Sequence, residues 1–365
     1  MIKLDIISVM EKMMIEEILK NQSAWEYLKN TDLPIILYGT GNGADRVIDE
    51  YERLGIKLSG VMASDGFVRD RCFRGFKVKG VSDFEKEFSD FVITVGFASQ
   101  REEVIENILK LSKRHKLLVP CVPAFGEAFL NREFIVSHKS ELERVYSVLA
   151  DEKSRLVFTD FLNFSLTGEL SYLFANETDK DEAFYNILKL GENESYLDLG
   201  AYKGDTVDEF LYYTGGKYSS VKAVEPDKKS FRKLKEHFPD KDNFYFVNCG
   251  ILDENKTVYF NGKSGRRNAI SDSGDETRVC TVDYLCEDFP VTYLKADIEG
   301  CENEMLCCCE RTFTQLKPKL NIAAYHKSED IYSIPLKILE LNPDYKIYLR
   351  HHRYIPCWDL NYYCI

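Results

Sequence analysis

Twice in this chain a short apolar run breaks into glycines and resumes with helical periodicity. The first instance is "PIILYGTGNGADRVIDEY", residues 34–51, and the second is "SYLDLGAYKGDTVDEF", residues 195–210. A strand that passes straight into a helix through glycine commits a chain to parallel pairing, because parallel neighbours need a covering crossover. Both turns are followed by further alternation. After the first come the strand-like "KLSGVMAS", "DFVITVGF" and "HKLLVPC", separated by the helical "VSDFEKEF" and "SQREEVIENILKLSKR". After the second come "VKAVEP", "FYFVNCGI", "VTYLKADIEG" and "KLNIAAYH", with helical "KKSFRKLKEHF", "CENEMLCCCERTF" and "IYSIPLKILEL" between them. "KTVYF" and "TRVCTVDYL" read as hairpin-like, and "YKIYLRHHRYIPCWDLNYYCI" as a closing antiparallel pair.

At 365 residues the chain is long for one core, so two doubly wound units are expected. The expected division is an amphipathic helical region over 1–32, a Rossmann-like α/β domain over 33–140, a helical connector over 141–190 and a larger α/β domain over 191–365. Ile7, Met10, Met14 and Ile18 carry the leading helix. Acidic residues number 60 against 48 Lys and Arg, a net charge of −12. That excess excludes a binder of nucleic-acid backbone, which needs cations to release counterions. No apolar run is long enough for a membrane span and the N-terminus lacks a secretory pattern. The 11 cysteines contain no CxxC pair, so reduced thiols, no zinc site and a cytoplasmic setting are expected.

The second turn carries the clearer chemistry. Gly200 and Gly204 remove Cβ atoms where a nucleoside could rest, at a helix N-terminus with unpaired N–H groups. The next strand ends in Glu225, where a doubly wound fold places a carboxylate on ribose hydroxyls. Two features argue against NAD. The turn lacks the close G-x-G pair that approaches pyrophosphate, and Asp198 precedes it, repelling phosphate and welcoming an ammonium. S-adenosylmethionine has that ammonium and no phosphate.

"YLDLGAYKGDT", "AVEPD", "TVDYL", "YLKADIEGCENEML", "YHKSED" and "YKIYLRHH" together resemble, in that order, the FkbM family of S-adenosylmethionine-dependent methyltransferases. The likeness covers about residues 145–365. It implies a class I methyltransferase fold, a seven-stranded doubly wound sheet whose last two strands form a hairpin. It also implies O-methylation of a hydroxyl on a sugar, nucleotide sugar or related natural product. By this resemblance Asp198, Gly200, Gly204 and Thr206 line the methionine end, Glu225 holds the ribose and Asn248 lies near the adenine. Bulky Tyr202 and Lys203 inside the turn depart from the commoner pattern.

Further residues extend the expected site. Strand alternation puts Lys295, Asp297 and Glu299 on one side at the carboxyl edge of a sheet, where charge is costly unless it pairs or meets a ligand. Asp297 is expected to reach the cofactor and Glu299 the acceptor. His326, read as ending a strand, is the expected base for an acceptor hydroxyl, poised near neutrality, with Asp297 as the alternative and Lys295 beside them. Asp297, Glu299 and His326 could hold a divalent ion, but no metal is expected. Lys263, Arg266 and Arg267, in a Gly- and Ser-rich loop, are candidates for an anionic group of the acceptor.

The first turn has G-x-G-x-x-A spacing through Gly39, Gly41 and Gly43. It resembles, more loosely, the Rossmann-like N-terminal domains of bacterial sugar-modifying enzymes that bind nucleotide sugars. Ligand binding, docking or homo-oligomerisation, and a plain turn all remain open for it. The rival functions are a nicotinamide-dependent sugar oxidoreductase using this turn and a non-catalytic nucleotide-binding scaffold.

Overall fold

The computed structural model describes residues 14–239, 241–260, 270–271 and 275–365. Lys263, Arg266 and Arg267 therefore lie outside the described residues, as do Ile7 and Met10. The chain divides into two units. One contains residues 14–147, Glu152–Thr178 and His351–Asp359; the other contains Val148–Asp151, Asp179–Arg350 and Leu360–Ile365. Among the described residues no helix is long and apolar enough to cross a membrane.

The first unit is built on six strands: β1 (Ile35–Tyr38), β2 (Leu58–Ala63), β3 (Cys72–Phe73), β4 (Phe76–Gly80), β5 (Val92–Val95) and β6 (Lys116–Leu118), in the spatial order β3-β4-β2-β1-β5-β6. All pairings are parallel except the β3–β4 hairpin. Every residue of β1 and β5 is buried, as apolar runs covered on both faces must be. The helix Asn42–Leu54 buries Ala44, Val47, Ile48 and Tyr51 and stops at Gly55, whose φ of 70° closes its C-terminus.

The second unit carries a seven-stranded sheet. Its members are β7 (Ser195–Leu199), β8 (Ser220–Val224), β9 (Phe244–Val247), β14 (Tyr293–Ala296), β15 (Lys319–Ala323), β16 (Ile347–His351) and β17 (Leu360–Cys364). The intervening β10 (Gly250–Ile251), β11 (Lys256–Phe260), β12 (Ile270–Ser271) and β13 (Asp275–Cys280) form a separate four-stranded sheet. β11 and β13 pair antiparallel, as the hairpin-like reading expects, but "VDYL" is helical over Val282–Leu285, its N-terminus capped by the Thr281 side chain.

The order of the seven strands is β16-β17-β15-β14-β7-β8-β9. β7 lies between β8 and β14, parallel to both, and β17 runs antiparallel to β15. The sheet thus winds outward in one direction through β8 and β9 and in the other through β14 and β15. In such sheets the crevice for ligands opens at the carboxyl ends of the strands flanking that reversal. The centre is held by stacked, fully buried aromatics, with the Tyr196 and Tyr293 rings 4.8 Å apart and Phe210 4.5 Å from Tyr196. Burying each such ring contributes about 1.5–3 kcal/mol, enough to fix the register that sets Lys295 opposite Asp198.

Candidate active site

Asp198 is the penultimate residue of β7 and is completely buried. One of its oxygens, Oδ2, accepts a hydrogen bond from the Thr206 hydroxyl on the helix Asp205–Tyr213. The other, Oδ1, has no hydrogen-bond partner among the described residues. Burial lifts the Asp198 pKa to about 6, against the pull of Lys295 and of the Thr206 and Tyr196 hydroxyls. A carboxylate so placed is short of positive charge.

The two glycines of this turn are required by the chain itself. Both have positive φ, 85° at Gly200 and 101° at Gly204. A Cβ on Gly200 would collide with the Asp297 carbonyl oxygen, and one on Gly204 with the Phe238 ring. The missing Cβ at Gly200 lets the chain leaving β7 pass close to the chain leaving β14, and that at Gly204 makes room for Phe238, packing needs that stand beside the expected room for a nucleoside.

Glu225 follows β8 and is 6% exposed. Its Oε2 accepts from the Tyr202 N–H at 2.9 Å and its Oε1 from the Asp227 N–H at 2.8 Å. Burial, outweighing these bonds, raises its pKa to about 7. Tyr202, with φ of 46°, thus ties the turn after β7 to the end of β8, while its ring is half exposed and lies 4.3 Å from the Lys203 ammonium. Asn248 donates to the carbonyls of Glu225 and Pro226, at 2.7 and 3.1 Å. Both amide hydrogens brace the backbone here.

At the end of β14 the strand period carries only to Ala296. Glu299 and Gly300 then turn the chain with φ of 54° and 94°. Lys295 is buried, with Nζ 3.6 Å from Asp297 Oδ2. Burial opposes its charge, but Asp297, Asp198 and Glu209 together hold its pKa above the ordinary value. Asp297 is about a third exposed (34%) and accepts from the Tyr325 hydroxyl, 3.2 Å from each carboxylate oxygen.

His326 lies three residues beyond β15, not at its end, and is 2% exposed. Its Nδ1 stands 2.9 Å from Glu302 Oε1; a carboxylate only accepts, so Nδ1 carries the hydrogen. Its Nε2 is 3.4 Å from Asp297 Oδ1 and 3.9 Å from Glu299 Oε2. Burial favours the neutral ring, yet Glu302, Asp297 and Glu299 outweigh it and raise the pKa to about 9. The expected poise near neutrality is corrected on this count. Lys327 does not offset the carboxylates, its ammonium being paired with Glu304 at 3.0 Å.

Glu302 is completely buried at the start of the helix Glu302–Leu306. Its Oε1 also accepts from the Ile298 N–H at 2.9 Å, and its Oε2 has no partner among the described residues. Sequence reasoning missed the bond of this residue to His326; the acidic run around "DIEGCENE" was the only signal. Asp297, Glu302 and His326 each offer one ligand atom within 4.8 Å of the others. Arg350, from the "RHH" stretch, is buried between Asp151 and Glu182, 2.6 and 2.7 Å away, in a packing role.

In the first unit, a Cβ on Gly43 would lie 2.7 Å from the Gly96 carbonyl oxygen and one on Gly39 2.9 Å from Phe97, whereas one on Gly41 meets nothing within 4 Å. Gly43 is thus required by the close passage of the Asn42–Leu54 helix over the residues after β5, and Gly39 makes room for the Phe97 ring.

The reversing seven-stranded sheet with its terminal hairpin has the arrangement of the class I methyltransferase fold. Residues 198–356, less than half of the chain, match the methyltransferase FkbM domain. Among solved structures, an FkbM methyltransferase from Methylobacillus flagellatus aligns over 96% of this chain and 93% of its own, with 21% identity and a TM-score of 0.72. Two others align over about half of the chain. Fibrillarin from Aeropyrum pernix, solved with natively bound S-adenosyl-L-methionine, covers 51% of this chain and 74% of its own, at 15% identity and TM-score 0.32. An rRNA methylase from Streptococcus thermophilus covers 51% and 92%, at 13% identity and TM-score 0.32. No curated protein matches the chain in sequence.

Proposed function

We propose that the chain transfers a methyl group from S-adenosylmethionine to a hydroxyl of a sugar, nucleotide sugar or related natural product. The observation that carries the cofactor assignment is the orphaned, fully buried Asp198 Oδ1 at the turn after β7. An ammonium satisfies that oxygen in both charge and hydrogen bonding, whereas a pyrophosphate would be repelled. Glu225 retains a free acceptor direction on each oxygen beside its backbone bond, as ribose hydroxyls require. Thr206 holds Asp198 in place, and Asn248 and Tyr202 hold the end of β8. The residues present therefore fit the group.

When bound, S-adenosylmethionine supplies a methyl carbon made electrophilic by its sulfonium. As it took up that methyl group, an acceptor hydroxyl would have to give up its proton. Asp297 takes it in this reading, because Asp297 is reachable from solvent and His326 is not. Tyr325 orients the carboxylate through its hydroxyl, and Lys295 stabilises its charge. His326, fixed by Glu302, closes the back of the site. Most of the acceleration then comes from holding acceptor and methyl donor in line.

The nicotinamide reading would use the first turn, where Gly39 and Gly43 are tied to packing and Gly41 has open space around it. Calorimetric titration of the purified chain with S-adenosylmethionine and with NAD tests the choice. Binding of the former, weakened at least about tenfold in Asp198→Asn as a charged hydrogen bond is lost, is the expected result. Saturable NAD binding with none for S-adenosylmethionine would overturn the proposal.

A further inference from the structure

We infer that His326 is a positioning residue: its ring, held between Glu302 and Asp297, fixes the Asp297 carboxylate toward the acceptor hydroxyl. This role rests on the methyl-transfer reading above and displaces the sequence expectation that His326 is itself the base.

Three observations carry it. The two carboxylates lie on opposite nitrogens of the ring, Glu302 Oε1 2.9 Å from Nδ1 and Asp297 Oδ1 3.4 Å from Nε2. The side chains thus form a tie, carboxylate to ring to carboxylate, and do not converge on one point. Its Glu302 end is anchored, completely buried and also accepting from the Ile298 N–H, whereas Asp297 at the other end is a third exposed.

Second, Asp297 is held from several directions at once. His326 stands at its Oδ1, Lys295 is 3.6 Å from its Oδ2, and the Tyr325 hydroxyl is 3.2 Å from each oxygen. A carboxylate otherwise turns freely about its last bond, and orienting it is what a positioned base needs. Tyr325 and His326 pack with rings 4.2 Å apart, and both follow β15, the strand paired with β14.

Third, only a ring protonated on both nitrogens suits both partners, since a carboxylate does not donate. Burial alone would keep the ring neutral, yet Glu302, Asp297 and Glu299 raise its pKa to about 9. Asp330, completely buried at the start of the helix Asp330–Leu341, also acts on this cluster, and accepts from Asn303 and the Lys327 N–H. The Lys327 ammonium is paired with Glu304.

A base and a positioning cation differ in the sign of their pH dependence. A base must be neutral to take a proton, so turnover would rise as the ring deprotonates. A positioning ring loses its charge over the same interval. With Nδ1–H kept on Glu302, the bare Nε2 lone pair then faces Asp297 Oδ1, and turnover should fall.

The test is nuclear magnetic resonance of the full chain labelled at the histidine nitrogens, the His326 signals being those absent from His326→Gln. At neutral pH both ring nitrogens should carry protons. Asp297→Asn and Glu302→Gln should each lower the titration midpoint by about one unit or more. A neutral ring, or a midpoint unmoved in Asp297→Asn, overturns the role. Thermal melts report folding, and should buried Glu302→Gln fail to fold, Asp297→Asn decides alone. Release of S-adenosylhomocysteine with a panel of sugars and nucleotide sugars then gives the sign. For a group of pKa about 9, kcat should fall about eightfold from pH 8.5 to 10, and His326→Gln should have a low, level kcat with KM little changed. A kcat that rises over that interval sinks the positioning role alone; should no acceptor in the panel react, the nitrogen spectra decide. Calorimetry with S-adenosylmethionine separates the two claims, because a chain with the coupled, doubly protonated ring that binds no S-adenosylmethionine would support the tie and sink the methyl-transfer reading.

Discussion

Affinity for S-adenosylmethionine should rise as the pH is raised from 6 to 7.5, and Glu225 should be the main cause. Burial lifts this carboxyl from 4.5 to about 7 in the folded chain, against two backbone N–H donors. Ribose hydroxyls donate, so they favour the ionised form, and binding must expel the proton wherever it is still held. A group of pKa about 7 that must ionise weakens apparent binding by about 11-fold at pH 6 and by only about 1.3-fold at pH 7.5. The gain is about eightfold. Asp198, at about 6, titrates in the same direction and adds about twofold. The ligand's own amino group titrates near 7.7–8.0, which sets the upper limit of the useful range.

Isothermal titration at four pH values, in two buffers of different ionisation enthalpy, would give both the affinity and the proton released. Glu225→Gln keeps size and one acceptor oxygen but cannot titrate. It should bind more weakly at pH 7.5 and show only the roughly twofold dependence left by Asp198. The linked effect on the unliganded fold has the opposite slope. Because the folded pKa lies above the unfolded one, the native state holds a proton that the unfolded chain has lost between about pH 4.5 and 7. This group's contribution to stability therefore falls across that window and is level above it. Affinity that is flat or declining with pH, or an unchanged slope in Glu225→Gln, would refute the reasoning.

Gly200→Ala should destabilise the chain by about 3 kcal/mol or more, since it combines positive φ with a backbone collision. Gly41→Ser, with extended backbone and open space, should be neutral or stabilising by up to about 1 kcal/mol at that helix N-cap; melting temperatures check both. Tyr325→Phe removes the hydroxyl that orients Asp297. Turnover should fall severalfold with the S-adenosylmethionine Kd and the melting temperature unchanged, and a matching loss of cofactor affinity would place Tyr325 on the wrong side of the crevice.

Much of this architecture was legible because it depends on local pattern. Short apolar runs broken by glycine mark β1, β5 and β7, a run stopped by Pro226 marks β8, and the tyrosine-rich C-terminus marks the β16–β17 hairpin. Asp198 and Glu225 were legible for the same reason, each standing at a strand end that the pattern itself locates. What escaped were relations between distant segments. The fate of Gly200 is decided by the Asp297 carbonyl on another strand, and the protonation of His326 by Glu302 on another loop. "TRVCTVDYL" is β-branched enough to read as strand to its end, yet Thr281 caps a helical turn that only its neighbours select. The segment His351–Asp359 lies between two strands of the second unit and is counted with the first, a division no local pattern announces.

Asp198 Oδ1 at the end of β7 and Glu302 Oε2 just after β14 are both buried and without a hydrogen-bond partner among the described residues. β7 and β14 are neighbours in the sheet, so two such costs fall within one crevice. Lys295 stands opposite Asp198 in register and two residues before Asp297, whereas Glu302 has its own counter-charge in His326, 2.9 Å away, whose pKa, against the effect of burial, it helps raise to about 9. Chains tolerate buried unpaired charge where a ligand supplies the counter-charge. Counter-charge is therefore still wanted at Asp198, where the ammonium of S-adenosylmethionine would supply it in the reading proposed above.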